Sequence, residues 1–101
     1  MSRWKRKEIE DAFDKYQAAA LKGAKTKDWT DWANCFTSDA TYFEHHFGRF
    51  WGRENILSWI TKTMNEWPAS SMTAFPITWY SIDVTKGWVI CEVMNRMEDL
   101  G

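Results

Sequence analysis

Glycine, proline, cysteine and histidine are all scarce here: five Gly, two Pro, two Cys and two His among 101 residues. So few chain breakers exclude a collagen-like or Pro/Gly-rich low-complexity protein. Two cysteines cannot build a disulfide framework, and the basic N-terminus has no apolar stretch behind it to act as a secretory leader. Cys35 and Cys91 are therefore expected to be reduced, buried packing residues of a cytoplasmic protein. No Cys-x₂-Cys or His-x₃-His spacing occurs, so no metal is expected. Glycine-rich phosphate loops and a Gly-x-Ser-x-Gly elbow are also missing, which leaves no indication of a cofactor and none of nucleophilic catalysis. No apolar run reaches the roughly 18 residues that cross a bilayer, so no membrane partner is expected. An excess of one charge is absent too. The net charge is −1, and the basic cluster Arg3, Lys5, Arg6 and Lys7 runs directly into Glu8, Glu10 and Asp11. That pattern suits a solvated helix start and argues against nucleic acid as a partner.

What the chain has in quantity is aromatic surface. Eight Trp and an aromatic content of 17% exceed what one small core holds, so some of these rings are expected to line a pocket or a dimer face. The length suits one domain over 1–101. Ile9, Phe13, Tyr16, Ala20 and Ala24 recur at spacings of three and four, which predicts a helix over residues 3–24 that closes near Gly23. Asp28 is a good N-cap for a short second helix carrying Trp29, Trp32, Ala33 and Phe36. Residues 40–46 have the β-branched and aromatic content of a strand. Phe47 to Gly52, punctuated by two glycines, reads as a loop or tight ribbon. A third helix is predicted over 53–67, stopped by Pro68. Two apolar runs, Thr73 to Val84 and Trp88 to Met97, flank Thr85-Lys86-Gly87 and predict an antiparallel hairpin with Asp83 as a turn residue.

The run Trp32-Ala-Asn-Cys-Phe-Thr-Ser-Asp39-Ala-Thr-Tyr42-Phe-Glu44-His45, followed by Gly48 and by Gly52-Arg53-Glu54-Asn-Ile56, resembles the core signature of nuclear transport factor 2-like, SnoaL-like proteins. The resemblance runs from about residue 10 to the C-terminus. It implies an α+β fold, the cystatin-like cone, in which three N-terminal helices pack on a curved antiparallel sheet whose mouth is a pocket. The family continues past the position of Gly101 with two more strands, so the resemblance also implies that the last strands of the domain are missing. Ketosteroid isomerases, limonene epoxide hydrolases, scytalone dehydratases and polyketide cyclases share this fold. A homodimer formed through the sheet and a small apolar ligand are the implied partners.

Candidate chemistry concentrates at the end of the first strand. Aligned forward from Asp39-Ala-Thr41, the general-base carboxylate of the resembling isomerases falls on Glu44; aligned backward from Gly48 it falls on His45. Either can move a proton near neutral pH if burial tunes it. His45 and His46, as strand neighbours, point to opposite faces and cannot share one ion without a kink. Tyr42 shares the parity of Glu44 and can offer a phenol to a carbonyl. Glu92 and Arg96 interrupt an apolar strand about 13 Å apart, too far to pair directly, and each needs another partner. Arg96 is expected to meet Glu44 across the cone or to hold an anionic substrate group, and Asn95 faces the other way with Val89, Cys91 and Val93. Trp59 and Trp79 complete the expected substrate-binding set, although the spacing of Trp59 also suits helix packing. Two functions follow from the same residues. One is a cofactor-free isomerase, cyclase or dehydratase acting by proton transfer on an apolar carbonyl or polyketide-like substrate; the other is a non-catalytic ligand-binding or dimeric assembly module. An interaction adaptor, a third reading, would need an exposed aromatic patch.

Overall fold

The computed structural model describes residues 3–98. Helix α1 spans Arg6–Thr26 and starts where the Glu8 carboxylate accepts the Lys5 N–H at 3.2 Å. Two residues of the basic cluster are held on that exposed helix face, with Arg6 Nε 2.9 Å from Glu10 and Lys7 Nζ 3.3 Å from Asp11. At the other end the left-handed cap is Lys27, with φ 67°, whose N–H donates to Gly23 O at 2.8 Å. Gly23 thus sits inside the last turn and does not end the helix. The cap of α2, Thr30–Ala33, is Trp29 and not Asp28 as expected; Asp28 lies one residue earlier, where its Oδ1 accepts the Thr30 N–H at 3.0 Å in a local turn.

Strand β1 (Thr41–Glu44) pairs antiparallel with β2 (Gly48–Trp51) through a turn at His45-His46-Phe47. The stretch expected as a loop or ribbon is therefore the second arm of a hairpin. Helix α3 (Arg53–Met64) ends three residues earlier than the periodicity suggests, at the cap Asn65, and leaves Trp67 75% exposed.

The C-terminal β-structure is one long hairpin in two pieces. Strands β3 (Met72–Ala74) and β6 (Arg96–Met97) form the inner piece, and β4 (Ile77–Asp83) and β5 (Trp88–Val93) the outer one. Pro76 lacks the N–H a continuous ladder needs, so the strands break there and rejoin through the Met94 N–H on Pro76 O at 2.9 Å. The turn runs from Asp83 to Trp88, one residue longer than expected. Its αL position is Gly87, with φ 71°, and Asp83 Oδ1 accepts the Lys86 N–H at 3.0 Å.

The core lies among the C-terminal half of α1, α2 and α3. Ala24, Trp29, Trp32, Ala33, Ile56, Ile60 and Met64 form one buried cluster, and Ile56 is fully enclosed. Tyr16, Phe36, Tyr42, Phe50, Met72 and Phe75 pack on it from the helices and both hairpins. Helices thus cover one side of antiparallel β-structure, the α+β arrangement. No helix among the described residues is long and apolar enough to cross a membrane.

Candidate functional site

Alternation along β1 decides what faces inward. Thr41 and Phe43 are exposed, whereas Tyr42 and Glu44 are half-buried on the opposite side. That inner side closes one wall of a cavity of about 540 Å³. Tyr16 and Trp32 of α1 and α2 form a second wall, Trp59 of α3 a third, and Cys91, Val93 and Asn95 a fourth along the long hairpin. The aromatic rings interlock in edge-to-face, tilted and stacked pairs. Tyr42 lies 5.8 Å from Trp32 and 5.1 Å from Trp59 between ring centroids, and Trp59 stacks on Phe50 at 4.8 Å. Cys91 and Val93 are exposed although they line the cavity, so it opens on the β5 side. The cysteines are free, as expected, but neither is buried: Cys91 is exposed on β5, which carries no further layer over this face, and Cys35 is half-buried in the turn after α2.

Polar groups in this apolar space are few and specific. The Glu44 carboxylate accepts the His46 N–H at 2.9 Å, which closes the turn and orients one carboxylate oxygen. Burial holds the Tyr42 phenol above the ordinary tyrosine value, and the negative charge of Glu44 adds to the rise. Tyr16 is raised more strongly, first by burial and then by Tyr42. Both phenols therefore stay protonated through the neutral range and keep an O–H to donate. The indole N–H groups of Trp29 and Trp59, both on lining residues, are buried with no acceptor among the described residues. A neutral phenol beside a carboxylate in an aromatic-lined cavity is able to polarise a carbonyl and accept a proton from the carbon next to it.

A second, shallower cleft of about 380 Å³ lies between the start of α1 and the Gly87 turn. Its carboxylate, Glu8, is occupied in capping α1, so this cleft offers no comparable chemistry.

A family profile described as a SnoaL-like domain matches residues 2–92. The chain belongs to the SnoaL-like domain family. No curated protein and no solved structure gave a significant match.

In this SnoaL-like chain the candidate residues separate by position. Glu44, Tyr42 and Trp59 line the cavity; His45, Trp79 and Arg96 do not. His45 occupies the exposed turn beyond Glu44. Trp79 is 51% exposed because the register slips between Ile77 and Trp79. Ile77 faces the cavity, and the bulge turns Trp79 to the outer side, opposite Glu92. Arg96 lies on the exposed face of β6, paired with Ala74 and away from Glu44. Its strand neighbour of the same parity, Glu92, finds its partner in Thr78, whose Oγ1 donates to Oε1 at 2.7 Å.

Three polar lining residues, His46, Thr63 and Asn95, lie outside the set expected from the sequence. Asn95 was legible there, since it shares parity with Cys91 and Val93. Strand parity gave no signal for His46, because a turn and not a strand presents it.

Proposed function

We propose that this SnoaL-like protein holds a small, largely apolar molecule in its aromatic cavity and catalyses cofactor-free proton transfer next to a carbonyl. Isomerisation, cyclisation and dehydration of a polyketide-like substrate share that step. Glu44 is the general base, and Tyr42, kept neutral, donates a hydrogen bond to the carbonyl oxygen as charge builds on it. Trp59 and Trp32 supply the flat apolar walls. The observation that carries the reading is that Tyr42 and Glu44, two residues apart on one strand face, both enter the same cavity. With His45 in the exposed turn, the base role goes to Glu44.

The step common to these reactions is enolisation, and it can be followed without the natural substrate. Exchange of the α-protons of a bicyclic ketone into D₂O, read by NMR, should run faster with the protein than with buffer. Glu44→Gln should slow it by about 10²-fold or more, Tyr42→Phe should slow it less, and His45→Ala should leave it unchanged. Full exchange in Glu44→Gln would remove the proton-transfer reading.

One observation favours a second role alongside the pocket. Trp79, Trp88 and Ile90 expose 51%, 54% and 53% of their surface on one outer hairpin region. An aromatic patch of that kind suits a homodimer interface. Light scattering on the wild type and on Trp88→Glu tests it: a dimer that dissociates in the variant supports assembly, and a monomer in both opposes it.

A further inference from the structure

We propose that the cavity is selective for charge: its ligand is an apolar body bearing an ammonium group, and carboxylates are excluded. This rests on reading the cavity as a small-molecule pocket, but not on the proton-transfer step.

The lining supplies the argument. Glu44 is its one Asp, Glu, Lys or Arg residue. Among the described residues no Lys or Arg nitrogen lies within 4.0 Å of the Glu44 carboxylate, and the three ion pairs that do form are on α1 and between α1 and α2. The half-buried negative charge is therefore not neutralised from within the chain. Its field reaches the cavity, as the rise it adds at the neighbouring Tyr42 phenol indicates. Arg96, the residue that would have anchored an anion, points elsewhere.

The surrounding rings act in the same direction. Trp32 and Trp59, which also line the cavity, each lie within 6 Å of Tyr42 between centroids. Aromatic faces carry the negative part of the ring quadrupole, so they attract a cation and repel an anion. A carboxylate ligand would lose its hydration, face Glu44 and find no Lys or Arg, which is the costly case for a buried charge. An ammonium group meets a carboxylate that no Lys or Arg pairs with, beside the rings of Tyr42, Trp32 and Trp59, while its apolar body fills the rest of the space.

Three adamantane derivatives of nearly equal size isolate the charge: 1-adamantanamine, 1-adamantanol and adamantane-1-carboxylate. Calorimetric titration of the full chain at pH 8 gives their affinities. The expected order is ammonium, alcohol, carboxylate, with the ammonium about tenfold or more tighter than the alcohol and the carboxylate not measurably bound. Glu44→Gln should bring ammonium and alcohol to within a few-fold of each other. Retained alcohol affinity in that variant shows that the cavity is intact. Equal binding of ammonium and alcohol by the wild type, or tightest binding of the carboxylate, overturns charge selectivity and leaves the pocket standing. Binding of none of the three removes the small-molecule pocket itself, and the selectivity with it.

Discussion

The indole of Trp29 lies flat against Gly23, so close that a Cβ at residue 23 would come within 2.6 Å of the ring. The glycine sits in the last turn of α1 and the tryptophan opens α2, so this contact sets how closely the two helices join. Trp29 is 3% exposed and also lines the cavity. The shape of the pocket thus depends on a missing side chain one helix away.

Gly23→Ala should lower stability. In an open helix the same change is favourable by about 1 kcal/mol, but overpacking of this kind costs about 1–3 kcal/mol. Urea denaturation checks the sign. In a Trp29→Phe background the penalty should shrink, since the smaller ring leaves room for a methyl group, and a double-mutant cycle reads that coupling. A stabilised Gly23→Ala protein would show that the ring does not press on this position.

Ile56 is fully buried between the helices. Ile56→Val should cost about 0.5–1.5 kcal/mol and Ile56→Ala about 2–5 kcal/mol. For a chain of this length each kcal/mol moves Tm by roughly 4–8 °C, so differential scanning calorimetry separates the two variants clearly. A shift of a degree or less for Ile56→Ala would place Ile56 outside the core.

Trp59 touches Tyr42, Phe47 and Phe50 at once. Trp59→Leu removes one cavity wall and enlarges the space. Stability should fall by about 2–4 kcal/mol, and the affinity for a neutral apolar ligand should drop about tenfold, in line with the loss of one well-packed ring. Calorimetric titration with 1-adamantanol provides the test; unchanged affinity would mean that the ligand sits elsewhere.

Alkaline pH should destabilise the fold through Tyr16 and Tyr42. Both phenols are raised above the ordinary value of 10.0, chiefly by burial. Below about pH 10 both states hold these protons, so the two residues add no pH dependence. Above it the unfolded chain ionises first while the folded one keeps its protons, and stability falls as pH rises. Urea midpoints between pH 8 and 11 should show this slope in the wild type, and the double variant Tyr16→Phe, Tyr42→Phe should largely lose it. An equal slope in both proteins would assign the effect to other groups.

The three helices, the first strand, the family, the hairpin turn at Gly87 and the shared parity of Tyr42 and Glu44 are all readable in the chain before it folds. All of these depend on local periodicity, turn chemistry or a short motif, and each is written in consecutive residues. The chain also gives Asn95 the parity of Cys91 and Val93, and all three line the cavity although Asn95 lies in the break between β5 and β6. Tertiary structure decided the rest. The bulge after Ile77 turned Trp79 outward, and a break at Pro76 divided one long hairpin into two ladders. A turn, not a strand, carries His45 and His46. The place of Gly23 is the plainest case. In sequence it is a helix breaker near a helix end; in three dimensions it is room for an indole. Contacts between residues on different elements depend on how those elements are brought together, and the period of neither one records them.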